Sequence, residues 1–138
     1  IFFNHTTAYA ISLGLVGSEM CIRDSPCTIW TRTNNENYEW LWSLYDNLMK
    51  EYTYRYNKHH ASERLIHDLW ESPKNIPHGD FTDPPQCMPD VCKGGDVVSA
   101  YQTYYILEKS GFAAWKRRGA PLWWKEKENR TGTTWAVG

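Results

Sequence analysis

NNENYEWLWSLYDNLMKEYTYRYN, residues 34–57, is the run that decides the fold class. Tyr38, Leu41, Tyr45, Leu48, Met49, Tyr52 and Tyr56 recur in it at three- and four-residue steps, the period at which side chains share one face of an α-helix. Asn34 or Asn35 suits the N-cap, because a short amide side chain accepts from an unpaired first-turn N–H. Glu36 and Glu39 then place negative charge at the positive end of the helix dipole. Asn57 tolerates the left-handed conformation that closes many helices, so the helix is predicted to stop there.

Working outward, Ser62 is expected to cap a second, shorter helix that turns Leu65, Ile66, Leu69 and Trp70 inward and ends before Pro73. Residues 72–95 lose all periodicity and are punctuated by Pro73, Pro77, Gly79, Pro84, Pro85, Pro89, Gly94 and Gly95. They read as a long ordered loop pinned by Phe81, Met88 and Val91. Asp96 suits the cap of a third helix bearing Val97, Val98, Tyr101, Tyr105 and Glu108, with Gly111 as terminator. Residues 112–118 are expected to add a short helical piece before Pro121. No strand pattern stands out, so the fold class is mainly α: one small helical domain with a long irregular Pro/Gly-rich loop.

The N-terminal side reads differently. Residues 13–25, LGLVGSEMCIRDS, resemble a translated sequencing-adaptor peptide, so residues 1–25 are taken as non-native and 26–124 as the helical domain. Residues 125–138 are polar and mixed in charge, a tail expected to fray. Fifteen Lys and Arg against sixteen Asp and Glu leave a net charge of -1, so any anion-binding surface has to be local. With Cys21 inside the adaptor-like run, Cys27, Cys87 and Cys92 form an odd set, favouring reduced thiols and a cytoplasmic setting. No apolar run approaches the roughly 20 residues of a membrane span.

Candidate chemistry gathers at the end of the long helix. Glu51 and Arg55 sit at the border of its buried face, where two readings compete. One is a plain i,i+4 ion pair; the other is a carboxylate at a pocket wall, tuned by partial desolvation for acid or base work. The following residues mix cations with aromatics. Arg55, Lys58 and His60 suit a phosphate, and Tyr54 or Tyr56 a base, a pairing that nucleic-acid sites use. The plainer alternative is tyrosines in the core and cations in solvent. Residues 112–124 form the most basic local stretch, in which Lys116, Arg117 and Arg118 could edge a phosphate site while Trp115, Trp123 and Trp124 pack. His59, His60, His67 and the cysteines lack zinc-site spacing, so no metal and no cofactor is expected. No Gly-rich phosphate loop, HExxH, GxSxG or EF-hand pattern is present.

Several blocks stand out: Pro26-Cys27-Thr28-Ile29-Trp30 with Arg32, Asn37-Tyr38-x-Trp40-Leu41, and Glu51-Tyr52-Thr53-Tyr54-Arg55-Tyr56-x-Lys58-x-His60. Cys87-Met88-Pro89, Ala100-Tyr101, Tyr104-Tyr105, Glu108-Lys109 and Phe112-Ala113-x-Trp115-Lys116 with Arg118, Pro121 and Trp123 follow. Together they resemble a family of small, largely uncharacterised bacteriophage proteins. Some members are labelled pyrimidine-dimer DNA glycosylases. The resemblance implies a C-terminal fragment of a longer member, lacking an upstream segment with an Asp-Lys-His motif. It also implies a protein that binds or processes DNA or nucleotides; from the residues of the helix end, Glu51 and His60 are the catalytic candidates. Trp30, Arg32, Tyr52, Arg55, Lys58, Lys116 and Arg118 are then the ligand-binding candidates. A non-enzymatic phage accessory protein that captures a host protein or a signalling nucleotide is the rival reading, and a purely structural stripe is the third.

Overall fold

The structure is a computed structural model in which residues 23–126 are described. Those residues are mainly α-helical and contain no strand, in agreement with the expected class. Among the described residues four α-helices follow one another: α1 (Pro26–Thr31), α2 (Asn35–Tyr56), α3 (Val97–Lys109) and α4 (Leu122–Lys125). Three short 3-10 turns lie at Ala61–Leu65, Asp90–Cys92 and Ser110–Phe112. Most of the adaptor-like run and residues 127–138 of the tail lie outside the described residues. Packing divides the chain into two units, Ile1–Trp42 with Trp70–Pro85 and Ser43–Leu69 with Gln86–Gly138. α2 gives its first turns to one and the remainder to the other.

In the first unit, Ser25 caps α1 by accepting from the Thr28 N–H at 3.3 Å, and Pro26 follows where its missing N–H costs nothing. Sequence reasoning proposed no helix here, although the Ser-Pro pair is a usable start signal. Asn34 caps α2, its Oδ1 accepting from the Asn37 N–H at 2.9 Å. Three asparagines then hold residues 77–82 against the start of α2. Asn34 Nδ2 donates to the Asp80 carbonyl at 2.9 Å, and Asn35 Oδ1 accepts from the Gly79 N–H at 3.0 Å. Asn37 is wholly buried, with 0% exposure. It accepts from the Thr82 N–H at 2.9 Å and donates to the Trp30 carbonyl and Thr82 Oγ1 at 3.0 Å. A buried amide is tolerated because nearly every donor and acceptor it carries is paired. Trp30, Trp40 and Phe81 meet edge-on or tilted around this knot, at centroid separations of 5.7 to 6.1 Å.

In the second unit the core is built from Met49, Cys92, Ala100 and Ile106. α2 ends as its sequence predicts, with Asn57 at φ 52°. Tyr56, expected on the buried face, is 45% exposed in the last turn of the helix. The expected helix capped by Ser62 is replaced by the 3-10 turn. His60 takes the capping role, its Nδ1 accepting from the Ser62 N–H at 3.1 Å. Starting two residues early and running on i→i+3 bonds, the turn is too short to form an inward face, and Leu65 and Leu69 remain partly exposed. Trp70, assigned to the first unit, is exposed as well and meets Trp42 edge-on at 4.6 Å.

Asp96 caps α3 as predicted, accepting from the Ser99 N–H at 2.8 Å. Ala100 and Ile106 are the buried residues of that helix, whereas Val98 and Glu108 are exposed. α3 ends at Lys109, and Gly111 falls within the 3-10 turn that follows. The helical piece expected over 112–118 is absent. Instead 113–118 run as turns and extended chain, and the short α4 starts after Pro121. Tyr105 on α3 meets Trp115, Trp123 and Trp124 at 6.4, 6.0 and 5.7 Å, so the tryptophans pack. Val91, expected to pin the loop, is 74% exposed. Gln86 does the fastening there, exchanging hydrogen bonds with the backbone N–H and carbonyl of Gly94.

Candidate functional site

One turn of α2 brings Arg55 Nε to 2.6 Å from Glu51 Oε1. A second guanidinium arrives from distant sequence, with Arg118 Nε donating to both Glu51 oxygens at 2.8 Å. The side chains of Arg55 and Glu51 retain 12% and 26% of their exposure, while that of Arg118 retains 52%. Arg118 also lies over the Tyr54 ring, its guanidinium carbon 4.3 Å from the centroid, a cation–π distance.

Segment 114–118 is strapped to α2 by backbone contacts. Arg55 Nη1 donates to the Ala114 carbonyl at 3.2 Å. Tyr54 and Arg117 exchange bonds: the tyrosine hydroxyl donates to the Arg117 carbonyl at 2.9 Å, and Arg117 Nη1 donates to the Tyr54 carbonyl at 2.7 Å. Arg117 adopts φ 63°, a left-handed conformation that costs a non-glycine residue about 1 kcal/mol. The reciprocal pair offsets that cost and turns the chain so that Arg118 meets Glu51. Lys116 Nζ lies 5.1 Å from the centroid of the Tyr56 ring.

The Arg118 hydrogen bond is the largest influence on Glu51 and holds its carboxyl below the usual carboxylate range. Burial pushes the other way, and Arg55 adds to the lowering. The same pairing raises the pKa of Arg118. Desolvation therefore does not set the direction of the shift, contrary to the expected tuning by burial. Two guanidiniums outweigh it and favour the charged carboxylate.

His60 is spent on its cap. Its Nδ1 accepts from the Ser62 N–H, which uses one of the two ring nitrogens. Its ring meets Tyr52 edge-on at 5.0 Å, and Tyr52 meets Tyr56 at 4.8 Å. Lys58 is exposed and makes no ion pair among the described residues. Trp30 and Arg32 belong to the first unit. Trp30 Nε1 donates to the carbonyl and hydroxyl oxygens of Thr82 at 3.0 Å, and Arg32 Nη1 donates to the Arg23 carbonyl at 2.8 Å. Of the predicted residues, Glu51, Arg55 and Arg118 thus form one cluster, Tyr52 and His60 a packed pair, and Lys116 a cap over Tyr56.

Sequence reasoning missed the Tyr54–Arg118 stack and the Tyr54–Arg117 exchange. Both stretches stood out separately, but their pairing spans more than sixty residues and no local pattern reports it. An open concavity beside the Ala61–Leu65 turn is lined by His59, His60, Glu63, Arg64 and His67. His59 Nδ1 and Glu63 Oε2 are 2.8 Å apart there. Among the described residues no three His, Cys, Asp or Glu side chains converge in a metal-binding arrangement. No protein-family model, curated protein or solved structure matches the chain.

Proposed function

We propose that the second unit binds nucleic acid or a nucleotide, using the surface formed by the end of α2 and segment 114–118. The carrying observation is the pairing of two partly exposed tyrosines, Tyr54 and Tyr56, with the cations Arg118 and Lys116. Cations beside π-faces serve both halves of a nucleotide: phosphates meet the charges, and bases stack on rings or on a guanidinium plane. Lys58 and Arg117 add charge nearby in sequence, on a chain whose net charge is only -1. The resemblance to bacteriophage proteins, some labelled DNA glycosylases, supports the same ligand class and a setting in the host cytoplasm. Among the described residues no helix is long and apolar enough to cross a membrane.

Binding is favoured over processing because Glu51, the acid/base candidate, is held as a paired carboxylate, and His60 is occupied as a cap. Fluorescence anisotropy with a labelled single-stranded DNA oligomer tests the reading. Binding should weaken as salt rises, and Tyr54→Ala should cost about tenfold in affinity, the scale of one lost stacking contact. Absence of binding at low salt would refute it. Recovery of the oligomer intact after prolonged incubation supports capture, while cleavage or base release would restore a catalytic role. The same lowered carboxylate favours the accessory-protein reading. A thermal shift with mononucleotides and second-messenger nucleotides, each released unchanged, is its expected signature.

A further inference from the structure

A guanidinium has two faces and a donor-rich rim, and Arg118 commits them unequally. One face lies on Tyr54, and its hydrogen bonds to Glu51 are made through Nε. Neither Nη1 nor Nη2 makes a hydrogen bond among the described residues. Arg55 is arranged alike: Nε is on Glu51 and Nη1 on the Ala114 carbonyl, while Nη2 has no partner among the described residues. Glu51 therefore holds two guanidiniums by their Nε atoms and leaves terminal N–H groups unspent. Those terminal nitrogens form the fork that grips phosphate in a bidentate manner.

We propose that Glu51 is a positioning residue and that the Nη nitrogens of Arg118, assisted by Arg55, form a phosphate site. This rests on the reading above in taking the oxyanion to be a phosphate of a nucleotide or nucleic acid. Glu51 neither leaves nor reacts. It cancels one of the two positive charges, so the site carries net charge +1, and it fixes the rotamers of two long side chains that would otherwise lose freedom on binding. Two loose arginines offer more charge but less order. A lysine in place of Arg118 keeps the charge and loses both fork and stack.

The test is guanidinium-selected ¹⁵N NMR of the wild-type protein titrated with inorganic pyrophosphate, with binding of single-stranded DNA measured in parallel. The Nη signals of Arg118 should shift and sharpen while its Nε–H signal stays in place. Movement of Nε with loss of the Glu51 contact would overturn the positioning role and make Glu51 a competing anion. An unmoved set of guanidinium signals would overturn the site. DNA binding beside silent guanidinium signals leaves the broader reading standing without this site. A pyrophosphate response without DNA binding does the reverse. Arg118→Lys should weaken pyrophosphate binding about tenfold at unchanged net charge, and Glu51→Gln should weaken it severalfold, with circular dichroism confirming the fold. Tighter binding by Glu51→Gln would refute the proposal. Comparing a 5′-phosphorylated with an unphosphorylated oligomer separates a terminal monoester from a backbone diester as the natural source: preference for the first assigns the monoester, and equal affinity assigns the diester.

Discussion

The asparagine knot of the first unit and the Glu51 cluster of the second solve the same problem, holding a distant segment against α2, with opposite materials. Asn37 uses neutral groups at zero exposure, where each hydrogen bond is strong and an orphaned partner is costly. Glu51 and its arginines use full charges that still touch solvent, where screening weakens each pair. A neutral buried network suits permanence. A charged network that reaches solvent can also present its unspent guanidinium N–H groups to a ligand, as the proposed site requires.

Several measurements bear on that contrast. The largest effect should come from Asn37→Ala, which orphans the Thr82 N–H and the Trp30 carbonyl together and opens a small void. About 3 kcal/mol should be lost, read as a lower urea midpoint at unchanged slope. A loss below about 0.5 kcal/mol would mean the knot is ornamental. Gly79→Ala comes next. Its new Cβ would sit 3.0 Å from Asn34 Cβ, and Asn34 is held on both sides by its own hydrogen bonds, so about 1 kcal/mol should be lost in the same assay.

The charged cluster should respond more gently, and to pH. Glu51 has a folded pKa below its unfolded one, so its contribution is complete above the unfolded value. That contribution disappears as pH falls through the folded value. Wild type should therefore be the more stable at neutral pH, and wild type and Glu51→Gln should converge in acid; parallel curves would remove the pairing as a source of stability. Smallest of all, Lys58→Ala should leave the thermal midpoint unchanged while lowering the salt sensitivity of DNA binding.

Legibility followed the range of the contacts. α2 could be read because its apolar spacing, its capping Asn34 and its stop at Asn57 are local, and the Asp96 cap of α3 is local too. The Glu51–Arg55 pair was visible at i,i+4 for the same reason. The knot was not, because Asn37 meets Thr82 across 45 residues and an amide does not advertise that it will be the most buried side chain of its helix. Arg118 on Glu51, 67 residues away, escaped for the same cause, and with it the direction of the carboxyl's shift. The failed helix after Ser62 had a different origin: His60 could cap earlier, and an imidazole is an uncommon cap to predict.

The three thiols outside the N-terminal run make the chain its own reporter of opening. Cys27 is exposed in the first unit and Cys87 in the second, whereas Cys92 retains 2% exposure, with burial foremost and Glu108 next raising its pKa. A thiol-specific reagent should modify Cys27 and Cys87 quickly and reach Cys92 only when the second unit unfolds locally. The slow step of labelling then measures how often that core breathes, and a bound phosphate ligand should lengthen it.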